Sequence, residues 1–169
     1  EDIRIMKARL VPDDFNARYS AKSREYKYFI WNDWVCPPML NNFVWWRKGK
    51  AWDMALAREA CKLIQGRHNF KAFCRSTECP DDPFRTIDSL RIRTRGNLSI
   101  ISVRAQSFLT NMVRIIVGNI DRVASGKMSL EWLEGLLSGS ERAESAMTVP
   151  ACGLWFWRVN YPPASNRGA

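Results

Sequence analysis

The residues in this chain that could do chemistry are few, and their spacing excludes most reaction types. The single histidine, His68, lies in the polar run Gly66-Arg67-His68-Asn69, which reads as a turn. One imidazole leaves no room for histidine-based nucleophilic catalysis, and His68 reads as structural or solvent-facing. The five cysteines, Cys36, Cys61, Cys74, Cys79 and Cys152, form no C-x-x-C pair. They therefore do not make a zinc set, and no metal site is expected. An odd number of cysteines without a signal peptide points to reduced thiols and a cytoplasmic location. The carboxylate pairs Asp13-Asp14 and Asp81-Asp82 sit beside prolines and read as turn chemistry. Nucleophile-elbow, phosphate-loop, zinc-protease and dinucleotide motifs are absent. What remains is Arg114, set among Met112, Val113, Ile115 and Ile116. A cation in an apolar helical stripe needs an anion. That anion is either a structural partner within the chain or the carboxylate of an active site.

The charge balance adds a second constraint. There are 26 Lys and Arg against 17 Asp and Glu, giving a formal charge of +9, and Arg is the commoner cation. Seven Arg and two Asp fall between positions 85 and 122, whereas positions 127–147 hold four Glu and two basic residues. A basic face with an acidic back suits a polyanion, and the Arg bias suits RNA, because the guanidinium fork binds phosphate and stacks on bases.

The elements that must position these groups follow from periodicity. Residues 3–11 read as a strand closed by Pro12-Asp13-Asp14, and residues 26–31 as a second strand with Tyr26, Tyr28 and Ile30 on one face. Residues 34–49 read as a long loop. A helix is expected over 53–65, ended by Gly66. Residues 84–95 and 98–105 flank Gly96-Asn97 as a hairpin, with Ile87, Ser89, Arg91, Arg93 and Arg95 on one face. Helices are expected over 108–125 and, capped by Ser129, over 130–137, with Ser140 capping a short further turn. Residues 154–159 form a last strand. The class is α+β, an antiparallel sheet with helices packed on one face. Residues 1–162 form the folded unit and 163–169 a flexible tail. The 20 aromatics argue against disorder, and no apolar run is long enough to cross a bilayer.

Several blocks share a further property. They are Phe15-Asn16-Ala17-Arg18-Tyr19-Ser20-Ala21 with Arg24-Glu25-Tyr26-Lys27-Tyr28, then Phe108 to Gly118 with Met112-Val113-Arg114, and Gly153-Leu154 through Tyr161-Pro162. Asn69-Phe70 with Phe73, and Arg85-Thr86-Ile87, lie between them. In these residues the chain resembles the tRNA pseudouridine synthase A family, over nearly its whole length. The resemblance implies a pseudouridine synthase-like fold and isomerisation of uridine to pseudouridine in the tRNA anticodon stem-loop. It implies no cofactor, tRNA as partner and a homodimer. Arg114 would pair with the catalytic aspartate, and the Tyr26 ring would stack on the target base. Arg18 and Asn16 would contact RNA, although the family often has His where Asn16 stands. Arg85, Arg91, Arg93, Arg95, Lys48 and Lys50 are candidate phosphate contacts. The family's R-T-D-x-G-V-H motif is missing. The chain is therefore expected to be the C-terminal half, inactive alone, with the aspartate outside it. The alternatives are a non-catalytic RNA-binding module of the same fold and a basic interaction domain.

Overall fold

A computed structural model describes residues 3–48 and 51–162. Lys50 and the tail 163–169 lie outside the described residues. The central strand is β1, Ser23–Asn32. One of its edges pairs antiparallel with β5, Leu98–Ala105, which pairs with β4, Phe84–Arg95, and then with the short edge strand β3, Gly66–Asn69. The other edge is shared. β6, Leu154–Asn160, runs antiparallel along its first part, and β2, Trp45–Arg47, runs parallel along its last part. The sheet is antiparallel apart from that β1–β2 pair.

Three helices cover one face. α1, Met54–Ile64, is capped by Asp53, whose carboxylate accepts from Ala55 N at 2.8 Å. α2, Met112–Ala124, is buried along most of its length, and α3, Leu130–Leu137, is capped by Ser129. Ile30, Leu90, Ile101 and Val103 of the sheet pack against Ile64, Ile116 and Ile120 of the helices in one core. Among the described residues no helix is long and apolar enough to cross a membrane.

Several expectations need correction. Residues 3–11 form no strand, and Ile3, Ile5, Met6 and Leu10 are more than 80% exposed. A strand needs a neighbour for its N–H and C=O groups, and no strand of the described sheet pairs with this segment. The expected turn at Gly66–Asn69 is β3, because Phe84 to Ile87 supply its hydrogen-bonding partners. The expected loop 34–49 contains β2. The main helix begins at Met112, since Asn111 adopts a left-handed conformation (φ 63°) that stops it extending back to Phe108. Glu141, and not Ser140, caps the short turn Arg142–Glu144. A bulge between Ile87 and Ser89 returns Ile87 to the core face with Leu90 and Ile92, so it does not share a face with Arg91 and Arg93.

Candidate active site

Alternation along β1 sends Tyr26 and Tyr28 toward the helices and Lys27 and Phe29 the other way. Tyr26 is half-buried. Its ring lies 5.2 Å from that of Phe108 and 5.1 Å from that of Phe156. It forms part of the wall of a depression of about 490 Å³ together with Arg18, Arg24, Gln106 and Phe108.

The loop ahead of β1 forms the rim of this depression and is held by its own polar groups. The Asn16 carboxamide oxygen accepts from Arg18 N at 2.9 Å and from Tyr19 N at 3.0 Å. Asn16 thus shapes the turn, and its oxygen is committed there rather than to a ligand. Arg24 donates to the Arg18 and Gln106 carbonyls, tying the loop to the end of β5. Tyr161 packs its ring 5.0 Å from Phe15 and donates to Ala17 O at 2.8 Å. These anchors leave the Arg18 side chain exposed at the rim.

Arg114 stands in the first turn of α2. A cation there opposes the helix dipole, which favours anions at that end. Its Nε donates to Val149 O at 2.7 Å and its Nη1 to Asn111 Oδ1 at 3.2 Å. Asn111, in the capping position, makes no cap bond and holds the guanidinium instead. Among the described residues no carboxylate comes within ion-pairing distance of Arg114. Arg114 does not line the Tyr26 depression. The two are linked by the turn from Phe108 to Asn111 and by Tyr28, on the same face as Tyr26. Burial pushes the Tyr28 phenol well above its ordinary range, Cys152 adds to this, and the Arg114 charge partly offsets it. The Tyr28 hydroxyl donates to Pro150 O at 2.6 Å.

The segment 145–150 that receives both side chains is a strap across α2. Asn119, fully buried, donates to Ser145 Oγ at 2.9 Å and accepts from Ala146 N at 2.9 Å. Gly118 meets the strap closely, since a Cβ there would lie 2.5 Å from Met147 O. The strap was not legible as a site element, because the groups it offers to Arg114, Tyr28 and Gly118 are main-chain carbonyls.

The remaining candidates separate. Arg85 is half-buried at the start of β4 and donates to Asp82 O at 3.0 Å and Phe84 O at 2.7 Å. It staples a turn through its Nη1. Arg91, Arg93 and Arg95 are exposed, and Arg91 and Arg93 line a depression on the sheet face away from the helices. Lys48 lies over the Trp46 ring at 3.8 Å. His68 bonds Gln65 O at 2.9 Å, which is a structural role. One buried cation escaped the sequence reading. Arg47 of β2 is ion-paired with Asp121 of α2, which also accepts from Trp52 Nε1 at 2.7 Å.

Residues 60–162 match the sequence profile of a family described as tRNA pseudouridine synthase. The tRNA pseudouridine synthase A of Brachyspira hyodysenteriae is 36% identical over 158 residues, covering 94% of this chain and 64% of that protein. The enzyme of the same name from Mesorhizobium japonicum is 38% identical over 161 residues, covering 95% and 64%. That from Methylacidiphilum infernorum is 35% identical over 164 residues, covering 96% and 64%. The chain therefore spans somewhat less than two thirds of the length of these relatives. The profile spans the segments that carry Arg114 and β6, the relatives cover more than nine tenths of the chain, and the chain belongs to the tRNA pseudouridine synthase family.

Proposed function

We propose that the complete protein isomerises uridine to pseudouridine in the tRNA anticodon stem-loop. In this reading the present chain supplies Arg114 and Tyr26, and the nucleophilic aspartate lies outside it. The reaction breaks the bond between the ribose and the uracil nitrogen, turns the base, and rejoins it through carbon. An aspartate in a closed, base-filled pocket stays ionised only beside a cation, because burial alone raises a carboxyl's pKa. The observation that carries the proposal is Arg114. It is half-buried, opposes its own helix dipole, and is aimed by two neutral acceptors with no acid beside it among the described residues. A carboxylate arriving there meets a positioned guanidinium. Tyr26, edge-on to Phe108, is the surface on which the displaced base stacks, and Arg18 at the rim contacts the RNA.

The test is Arg114→Ala in the complete enzyme, read as single-turnover pseudouridine formation and as tRNA Kd at fixed salt. The rate at saturating tRNA is expected to fall by roughly 10²-fold or more, since a misplaced reacting group costs about that much. Affinity is expected to change little, because it is spread over many phosphate contacts. Loss of affinity with an unchanged maximal rate would make Arg114 an RNA contact and remove the pocket assignment.

A further inference from the structure

The sheet face turned away from the helices carries groups that the isomerisation site does not use. Strand register lays them out in rows. Lys27 of β1 is flanked by Trp155 of β6 and Ser102 of β5, and Ser102 by Arg91 of β4. The next row runs Phe29, Ile100, Arg93, and the one after it Trp31, Leu98, Arg95. Aromatic rings therefore fill the β6–β1 side and an arginine ladder fills β4.

The aromatic side is open. Trp155 is 39% and Trp157 49% exposed. Phe29 lies 6.0 Å from Trp155 and 6.4 Å from Trp157, centroid to centroid. Together with Phe43 and Leu98 they wall an apolar groove of about 380 Å³. Lys27 Nζ sits 3.7 Å from the Trp157 ring centroid, at the border with the basic side. There, Lys27, Arg91, Arg93 and Arg104 line a second depression of about 370 Å³, with Glu25 as its acid. Arg104 is itself 3.9 Å from Asp88.

We propose that this face is a second RNA surface, on which unpaired nucleotides stack against Trp157, Trp155 and Phe29 while their phosphates follow Arg91, Arg93 and Arg95. The proposal rests on the preceding reading only in that RNA is the molecule brought to the protein. A single strand has the matching two-sided chemistry, apolar base faces on one side and a line of negative charge on the other. Successive ladder arginines are about 6.8 Å apart, two strand residues, which is comparable with the step between phosphates in an extended strand. β4 lies two strand spacings, about 10 Å, from β1, so bases and backbone reach their own rows. A duplex hides its base faces and has nothing to offer the tryptophans. Alternation along β1 puts Tyr26 on the opposite face, so no single nucleotide touches both sites.

The experiment uses the complete protein and a fluorescein-labelled ten-residue oligocytidylate, which offers no uridine to the isomerisation site. Trp157→Ala is expected to weaken binding about tenfold, the loss of one stacked base, and Trp157→Phe to restore it. A blunt-ended RNA duplex is expected to bind both variants alike. Arg91→Glu with Arg93→Glu, both on exposed side chains, is expected to weaken oligocytidylate binding by at least about tenfold and to flatten the salt dependence of what remains. This pair carries the test if Trp157→Ala does not fold. Oligocytidylate affinity within twofold of wild type in the tryptophan variant and in the arginine pair would overturn the proposal. So would a change in sedimentation of Trp157→Ala, which would make the face a protein interface. If the wild-type protein forms no pseudouridine on tRNA yet binds oligocytidylate through Trp157, the isomerase reading fails and the surface stands.

Discussion

At Gly118 a single methyl group should cost more stability than helix propensity returns. This residue lies inside α2, where Ala is normally preferred to Gly by about 1 kcal/mol. Propensity alone thus predicts that Gly118→Ala stabilises the protein. The structure predicts the opposite. A Cβ at this position would lie 2.5 Å from Met147 O, a main-chain atom that cannot rotate away, and within 3.4 to 3.5 Å of Val149 and Ala146. Either the strap or the helix must move. Overpacking of this kind costs about 3 kcal/mol at the upper end of its range. Set against the helix gain, the net loss is about 2 kcal/mol, which for a chain of this size is a fall in Tm of roughly 6 °C. The matched control is Gly135→Ala in α3, where a Cβ would meet nothing within 4 Å. That change should be neutral or stabilising by up to about 1 kcal/mol. Urea unfolding followed by circular dichroism measures both. The displaced strap also carries Val149 O, the acceptor of Arg114 Nε, so single-turnover isomerisation by the complete enzyme should fall further than stability explains. A Gly118→Ala protein as stable as wild type would refute the close approach and this account of how Arg114 is aimed.

Asn119→Ala should cost about 2 kcal/mol in the same urea assay, because the buried Ala146 N–H loses its acceptor. Asp121→Ala should cost about 3 kcal/mol by thermal or urea unfolding, since it removes the carboxylate shared by the buried Arg47 and by Trp52 Nε1. Burial pushes the Cys61 thiol up to about 12 from an ordinary 9.0. The raised value means that the stability it contributes is fully present below pH 9.0 and is lost between there and about 12. Urea midpoints measured at about pH 8 and about pH 11 should therefore fall less for Cys61→Ala than for wild type.

The elements legible in the sequence were those whose signals are local. The hairpin at 84–95 and 98–105, marked by Gly96-Asn97, and the helix at 130–137, marked by Ser129, were read with their observed bounds. The elements missed depend on partners far along the chain. β3 is four residues with little apolar character and exists because β4 offers it hydrogen bonds. β2 is three residues that pair parallel to the end of β1. The bulge before Ser89 is a shift in pairing register and leaves no mark in the alternation of Asp88 with its neighbours. The candidate site divides the same way. Arg114 stood out because a charge interrupts an apolar stripe. Its orientation by Val149 O did not, since every residue has a carbonyl. Arg85 carried the same charge signal as Arg93, and only the structure shows that Arg85 bonds the turn at Asp82 to Phe84 while Arg93 stands exposed.

The strap over α2 has a consequence for how this protein tolerates genetic change. The side chains of Arg114 and Asn119 meet the strap at Val149 O and Ala146 N, and the bare Cα of Gly118 faces Met147 O. Those atoms are the same whatever side chain hangs from them, and Met147 points its own into solvent at 72% exposure. The residue type at position 147 is therefore free to drift, whereas Thr148 is tied to Arg142 through its hydroxyl, and a one-codon insertion or deletion between 145 and 150 would carry these main-chain groups out of reach at once. Substitution and frame-preserving length change, which look alike as small mutations in a surface loop, should have opposite fates here.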